Sequence, residues 1–256
     1  MKRWMTVLIL AMVAWPVMSL GAEPLHVYGP GGPAPAMRDA AAVFAKAHGI
    51  RVEVTAGPLS HWEKGLRTNG DVIYSGSENM MSSFIERFAD IVEPESVRPL
   101  YLRPAAILVR PGNPRHIRGL RDLLKPGLRV LVVHGAGQIG MWEDIAGRLG
   151  NMDTVRALRS NIVFFARNSG QALKKWRSDH GIDAWIIFPI WAMAHPGVAD
   201  VVPLEPQYRI YRDCGVALTL RGKKRPLARA FVDFLASPQG RKIFEKHGWR
   251  EHANAR

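Results

Sequence analysis

The sequence predicts an α/β fold in which two lobes are joined by two long extended segments. Short apolar runs alternate with helices across glycine-rich turns, which is typical of βαβ units built around a parallel sheet. A breaker at residues 111–114 interrupts this alternation, and a second α/β series follows it. Extended segments at 100–109 and 209–220 flank the second series, so we expect the chain to cross to a second lobe and return.

The first lobe is predicted to comprise residues 23–106 and 208–256. Its strands are expected at 25–28, 51–55 and 71–74, and its helices at 36–46, from 60 toward 67, and at 79–87, 227–235 and 238–247. Val52 and Val54 alternate with polar residues, as in a half-buried strand, and Gly57 and Pro58 end that strand.

The second lobe is predicted to comprise residues 107–207. Its strands are expected at 129–133, 161–165, 184–188 and 201–202, and its helices at 142–149 and 171–179. In open parallel sheets, ligands bind beyond the carboxyl ends of the strands. The loops that follow these strands are therefore the candidate site loops in both lobes.

Composition excludes several classes of protein. The chain has 256 residues, of which 47% are apolar and 22% charged, so neither a disordered nor a fibrous protein is expected. Cys214 is the single cysteine, which excludes an internal disulfide framework and a cysteine metal cluster. The nine histidines are dispersed, without an H-x-x-x-H pair, so we expect neither a metal site nor a cofactor.

Residues 1–22 are predicted to be a signal peptide. Lys2 and Arg3 precede an apolar run, and small residues end the segment at Ala22. We therefore expect a periplasmic protein. Its formal net charge of +13 becomes +11 without Lys2 and Arg3, which suits a small anionic ligand or an anionic membrane face, whereas nucleic acid is not expected as a partner. The densest basic run, 221–225, is interpreted as a solvated turn.

Glycine- and hydroxyl-bearing turns precede helices in both lobes. Backbone N–H groups at helix N-termini and nearby hydroxyls bind anions, so these turns are predicted to grip a small anion from two sides. The candidate ligand residues in these turns are Gly31, Gly32, Ser60, His61, Trp62, Ser75, Ser77, Gly137, Gln138, Asn168 and Ser169. Structural alternatives stay open, because Ser60 and Glu63 match a capping box and either Ser75 or Ser77 could cap the next helix.

Other functional motifs are weak. Residues 29–34 fit the dinucleotide pattern G-x-G-x-x-A, but two prolines remove N–H donors that a pyrophosphate needs, and Glu53 lies inside its strand. The serines at 75 and 169 lack the G-x-S-x-G elbow of a hydrolase. Cys214 is more typical of a small buried residue than of a nucleophile.

Motifs spread over nearly all of the chain after residue 22 carry a family resemblance. They lie at 28–33, 57–58 with Trp62, 99–101 with Arg103, 112–114, 135–137, 142–144, 161–163, 168–170, 183–185, 211–212 and 248–251. In order and spacing they resemble the accessory colonization factor / major antigenic peptide family of periplasmic solute-binding proteins, which is related to sulfate- and molybdate-binding proteins.

The resemblance implies a type II periplasmic binding protein fold, whose lobes close on a ligand like a Venus flytrap. It also implies a small acid such as phosphoglycerate or citrate as ligand, and it allows a homodimer. In our hypothesis, a membrane transporter of the ABC type or a sensor recognises the closed form. The family commonly carries a serine- and threonine-rich insert after the 135–137 turn, whereas only residues 138–141 precede Trp142 here. This difference argues against a phosphorylated ligand and leaves a carboxylate or a smaller oxyanion open.

Arg103 is the candidate charge partner of the ligand. Its guanidinium matches a carboxylate or phosphate in two-point geometry, although an ion pair between the lobes is the structural alternative. Arg167 and Arg212 are weaker candidates. Two other functions stay open: a secreted hydrolase or transferase acting on an anionic substrate, and a surface adhesin or antigen whose cleft is unused.

Overall fold

The computed structural model describes residues 23–252, so the predicted signal peptide lies outside the described residues. Its strands are β1 (Leu25–Gly29), β2 (Val52–Ala56), β3 (Val72–Tyr74), β4 (Arg98–Pro104), β5 (Ala106–Val109), β6 (Val130–Val133), β7 (Ile162–Ala166), β8 (Ala184–Ile187), β9 (Asp200–Pro203) and β10 (Tyr211–Leu218). Its helices are α1 (Ala34–His48), α2 (Glu63–Asn69), α3 (Glu78–Arg87), α4 (Leu120–Leu123), α5 (Met141–Gly147), α6 (Met152–Asn161), α7 (Ser169–Ser178), α8 (Ile190–Met193), α9 (Leu220–Lys223), α10 (Pro226–Leu235) and α11 (Pro238–Lys246).

The strands form two five-stranded sheets, which confirms the predicted α/β class. The first sheet has the order β2-β1-β3-β10-β4, and the second has the order β7-β6-β8-β5-β9. The chain passes from the first sheet to the second at Ala105 and returns between β9 and β10. The predicted lobe boundaries at 106/107 and 207/208 remain a prediction.

The sheets are mixed rather than purely parallel. β1 is parallel to β2 and β3, and β6 is parallel to β7 and β8, as the βαβ pattern predicts. The strands that follow the two crossings run the other way: β10 is antiparallel to β3 and β4, and β5 is antiparallel to β8 and β9. Antiparallel strands at a crossing let the chain leave and re-enter a sheet without a helical connection.

Each sheet has its own buried core. Phe44, Phe231 and Phe244 pack on the first sheet, whereas Trp176 and Trp185 pack on the second. Burying one such side chain contributes about 1.5–3 kcal/mol. A third cluster, which includes Trp62 and Phe84, covers the opposite face of the first sheet. Each sheet therefore has its own set of apolar side chains packed on it.

Helix α6 was not expected from the sequence. Asn151 caps it by accepting a hydrogen bond from the Asp153 N–H at 2.8 Å. At its end, the buried Asn161 amide donates to the carbonyls of Leu123 at 2.8 Å and Lys125 at 2.7 Å. Leu158 is the one apolar side chain that the helix buries fully, which explains why the apolar pattern gave too little signal.

The interpretation of residues 221–225 as a solvated turn is wrong. Most of the run belongs to α9, and two of its arginines bind Asp71, whose side chain is fully buried. Arg225 lies 2.5 Å and Arg221 lies 3.1 Å from the Asp71 carboxylate, which also accepts the His26 N–H at 3.0 Å. This network ties the C-terminal elements to the first strand.

We expect Asp71→Ala to lower the free energy of unfolding by about 3 kcal/mol, because it removes the shared partner of a largely buried cation. Urea denaturation followed by circular dichroism measures the change. Asp233→Ala is the control, since Asp233 pairs with Arg98 in an exposed ion pair and should change stability by less than about 1 kcal/mol. Equal losses in the two variants would contradict this assignment.

Candidate functional site

A cavity of about 500 Å³ lies between the two sheets' loops. It is lined by residues from both parts of the chain: Pro30, Gly31, Gly32, Gly57, Pro58, Leu59, Trp62, Gly76, Asn79, Met80, Ser83, Phe84 and Arg103 from the first, and Gly137, Gln138, Ile139, Asn168, Ser169, Gly170 and Trp191 from the second. The turns before α1, α3 and α7 therefore meet at one place, as the strand–turn–helix pattern requires.

The cavity lining brings together most of the predicted site residues. They are Gly31, Gly32, Trp62, Arg103, Gly137, Gln138, Asn168 and Ser169. Ser60, His61, Ser75 and Ser77 lie outside this lining, and their role as ligand residues remains a prediction. Ser60 and His61 are exposed, whereas Ser75 and Ser77 are buried.

The buried serines accept hydrogen bonds from residues of the first sheet and of α3. The Ser75 hydroxyl oxygen accepts the Gly215 N–H at 3.2 Å. The Ser77 oxygen accepts the Met80 N–H at 3.2 Å and caps α3, which is the structural role left open above.

The capping-box interpretation of Ser60 and Glu63 is wrong. Helix α2 begins at Glu63 after Trp62, and no side chain caps it. The Glu63 carboxylate instead accepts two hydrogen bonds from Arg87, at 2.9 and 3.0 Å. A residue distant in sequence therefore takes the carboxylate that the local motif assigned to the helix cap.

The N-terminus of α7 forms part of the cavity wall. The Asn168 side chain caps the helix by accepting the Gln171 N–H at 2.9 Å. Gln138 donates from Nε2 to the Ser169 hydroxyl at 2.7 Å and so fixes the 136–138 turn against this helix. The partial positive charge of a helix N-terminus favours a negative ligand at this wall.

The lobes touch each other beside the cavity. A Cβ atom on Gly137 would lie 2.9 Å from the Ser77 hydroxyl oxygen and 3.0 Å from the Gly76 carbonyl oxygen. On the crossing strands, Arg212 forms an ion pair with Asp144 of α5. Arg167 is exposed and lies outside the cavity lining. The structure therefore shows the two parts in close contact, with Arg212 used to join them.

Arg103 is a buried cation at the cavity. Its side chain lies on β4, the residue is 5% exposed, and its guanidinium lies over the rings of Phe188 at 3.7 Å and Trp249 at 4.5 Å. Nη2 donates to the Gly76 carbonyl at 2.9 Å, whereas Nε and Nη1 have no hydrogen-bond partner among the described residues. Burial lowers the pKa of Arg103 to about 9, so the side chain is still charged at neutral pH.

The ion pair between lobes that was the alternative role for Arg103 is not found among residues 23–252. The carboxylate of Asp213 acts on the guanidinium through its charge, but it is not within ion-pair distance. The Asp213 pKa is itself raised by burial. No carboxylate within residues 23–252 is thus in contact with the guanidinium to neutralise it.

Arg110 shows what a structural arginine looks like in this protein. It also lies over an aromatic ring, that of Trp176 at 3.7 Å, and burial also lowers its pKa. Its donors are used on three backbone carbonyls, those of Ile182, Trp176 and Asp179, at 2.7–3.0 Å. Unpaired buried donors cost free energy. Arg103 differs from Arg110 because two of its nitrogens have no partner among the described residues, and a ligand could supply one.

The apolar part of the cavity wall was not predicted from the sequence. Apolar and aromatic side chains form much of the cavity wall: Leu59, Trp62, Met80, Phe84, Ile139 and Trp191. Of these, only Trp62 was a candidate. Apolar residues beside a helix N-terminus look like core residues in a sequence, although Ile139 carries a signal because it is an apolar residue in a glycine-rich turn.

Two further kinds of feature are absent from the described residues. No helix there is both long and apolar enough to cross a membrane. Nor do residues 23–252 contain a group of three or more histidine, cysteine, aspartate or glutamate side chains placed to hold a metal ion.

Comparisons with known proteins agree with this architecture. PEB3 from Campylobacter jejuni is 33% identical, with a TM-score of 0.82, over 89% of this chain and 100% of that chain. A structure of PEB3 bound to L-phospholactate has the same identity and coverage and a TM-score of 0.83. The periplasmic molybdate-binding protein of Azotobacter vinelandii shares the fold at 18% identity, with a TM-score of 0.64 over 88% of this chain and 98% of that chain.

A search of the curated proteins gave no match. The structural matches confirm the type II periplasmic binding protein fold and the resemblance to the major antigenic peptide group. The model of the family of bacterial extracellular solute-binding proteins matches residues 25–250. The chain therefore belongs to the bacterial extracellular solute-binding proteins.

Proposed function

We propose that the protein is a periplasmic receptor that captures a small anion between its lobes and presents it to an ABC-type transporter or a sensor. The observation that carries the proposal is the buried Arg103 guanidinium, whose Nε and Nη1 lack partners among the described residues. Family membership supports a binding role, and a relative of 33% identity has been crystallised with L-phospholactate, which is an anion.

In the proposed mechanism, Arg103 binds the negative group and the N-terminus of α7 donates neutral hydrogen bonds. Lobe 1 (23–106 and 208–256) and lobe 2 (107–207) move about the crossings at Ala105 and at 204–210. The ligand stabilises the closed arrangement because it contacts both lobes only there. Neutral donors and one cation hold the ligand without reacting with it, so it can be released.

The alternatives have less support. An enzyme would need an activated nucleophile, and the Cys214 thiol is fully buried, with a pKa that burial raises well above its usual range. An adhesin with an unused cleft would have no reason to keep an unpaired cation at the cavity. A homodimer remains a prediction.

We expect Arg103→Met to weaken binding of the best ligand at least tenfold, which is about 1.4 kcal/mol. Isothermal titration calorimetry measures the affinity, after a thermal-shift screen of small carboxylates, phosphorylated acids and oxyanions identifies the ligand. The melting temperature of the ligand-free variant should not fall, because an apolar side chain replaces a buried and incompletely paired charge.

Arg110→Met is the matched control for this variant. It removes a half-buried arginine whose donors are satisfied by carbonyls, so it should lower the melting temperature and leave affinity within about twofold. Unchanged affinity in Arg103→Met would contradict the assignment of the charge partner.

Gly137→Val should also weaken binding at least tenfold, about 1.4 kcal/mol, because its side chain would collide with Gly76 and Ser77 when the lobes are in contact. The melting temperature without ligand should stay the same, since neither sheet is disturbed. Gly147→Ala is the control, because its added Cβ makes only an ordinary contact with Val155 at 3.7 Å. Normal affinity in Gly137→Val would show that this contact is not needed for binding.

Cys214 should not react with Ellman's reagent in the native protein at mildly alkaline pH and should react fully after denaturation. The raised pKa keeps the thiol protonated until the pH is far above neutral, and burial excludes the reagent. Rapid labelling of the folded protein would revive the enzyme hypothesis.

A further inference from the structure

We propose that the ligand is an organic acid with a single negative charge and an apolar alkyl or aryl body. This inference rests on the proposed function and narrows its ligand. It excludes inorganic oxyanions, phosphorylated acids and citrate-like polyacids as the preferred ligands.

The charge of the cavity is that of one guanidinium. Among the described residues that line it, Arg103 is the only charged one. Gly32 and Gly76 lie against this guanidinium, since a Cβ on either would come within 2.9 and 3.1 Å of its nitrogens. Nε and Nη1 are themselves buried, but no side chain at these two positions separates the guanidinium from the cavity. One cation balances one negative charge, whereas a second ligand charge would be desolvated against only the partial charge of the α7 N-terminus.

Several polar side chains at the cavity are already engaged, whereas Gln138 Oε1 is buried without a hydrogen-bond partner among the described residues. Trp62 Nε1 donates to the Gly57 carbonyl at 3.1 Å, and Asn168 accepts from the Gln171 N–H. The Gln138 amide donates to Ser169 at 2.7 Å. A ligand with several phosphate oxygens would lose hydration without gaining an equal number of hydrogen bonds, because the unpaired Gln138 Oε1 is an acceptor and cannot donate to them.

The remaining wall is apolar and comes from both lobes. Trp62 and Phe84 meet edge to face, with ring centroids 5.4 Å apart, and Leu59 and Met80 extend this surface. Ile139 and Trp191 face the cavity from the second lobe. Displacing water from such a surface stabilises a complex by about 25 cal/mol per Å² of apolar area buried.

The size of the cavity agrees with this chemistry. Its volume of about 500 Å³ lies in the range of roughly 300–1,000 Å³ that is typical of sites for organic small molecules. An inorganic oxyanion would occupy a small part of it, and the rest would hold water against apolar side chains. An apolar body attached to the acid fills this space.

Calorimetric titration of the full mature chain tests the proposal with a graded series of carboxylates. Acetate, butanoate, hexanoate and 3-phenylpropanoate share one charge and differ in apolar area. We expect affinity to rise about threefold to fourfold for each added methylene until the cavity is filled. Sulfate, inorganic phosphate, 3-phosphoglycerate and citrate should bind at least tenfold more weakly than hexanoate or 3-phenylpropanoate.

Ile139→Ser separates the apolar wall from the fold. Ile139 lines the cavity but is 56% exposed, so the variant should fold normally. We expect it to weaken hexanoate binding at least threefold and to leave acetate binding unchanged. Leu149→Ser is the matched control, because Leu149 is also 56% exposed and lies outside the cavity lining. It should change neither affinity.

Three outcomes would overturn the inference in distinguishable ways. Tighter binding of sulfate, phosphate, 3-phosphoglycerate or citrate than of the apolar acids would refute the ligand class and leave the anion receptor intact. Equal binding of 3-phenylpropanamide and 3-phenylpropanoate would refute the role of the charge. Failure of every probe to bind would remove the proposed function together with the inference.

Discussion

The arrangement depends on a charge that is buried without a contacting counter-ion. Arg103 has lost most of its contact with water, and the lowering of its pKa reflects this cost. The rings of Phe188 and Trp249 offset part of it, since a desolvated cation over an aromatic face gains on the order of 2 kcal/mol. The Gly76 carbonyl accepts a hydrogen bond from Nη2, whereas Nε and Nη1 have no partner among the described residues. We expect the fold to be less stable with Arg103 than with an apolar residue at this position. Such a loss of stability is typical of a residue kept for function.

The crossing strands explain how this charge is held at the boundary of the lobes. In the β4–β10 pair, Arg103 lies directly opposite Arg212. Like charges opposite each other destabilise a sheet, and here Asp144 of the second part of the chain neutralises Arg212. The same pair of strands therefore carries one arginine that joins the lobes and one that faces the cavity. Any movement of the lobes must act on both.

Local chemistry made much of the fold and part of the site predictable. Gly31, Gly32, Asn168 and Ser169, which line the cavity, were named as candidates because glycine or a short polar residue before a helix follows from backbone requirements that act over a few residues. Parallel strands then gather such turns at one edge. The same argument explains why most strands were placed within one or two residues.

Contacts between residues distant in the chain determined the features that could not be predicted from the sequence. Ser75 has the same local signature as Ser169, but its hydroxyl is bound to Gly215, which is distant in the chain. Glu63 has the position of a capping residue, but Arg87 binds it instead. Nε and Nη1 of Arg103 are unpaired because no acceptor among the described residues lies within hydrogen-bond distance. This depends on the whole fold, so no local motif encodes it.

The turn before α5 combines a local sequence feature with a contact to a residue distant in the chain. The family resemblance leads one to expect hydroxyl groups after Gly137, and this chain has Gln138 and Ile139 there. Gln138 donates from Nε2 to the Ser169 hydroxyl, which holds the turn in place, whereas its Oε1 has no hydrogen-bond partner among the described residues. Ile139 then adds apolar surface to a wall that Trp191 continues. A turn that loses hydroxyls and gains a branched apolar side chain changes the ligand's body and not its charge, because the charge is read by Arg103 on the other lobe. If the guanidinium binds the acid group and the turn contacts the rest of the ligand, changes in the turn alone would let one fold bind different acids.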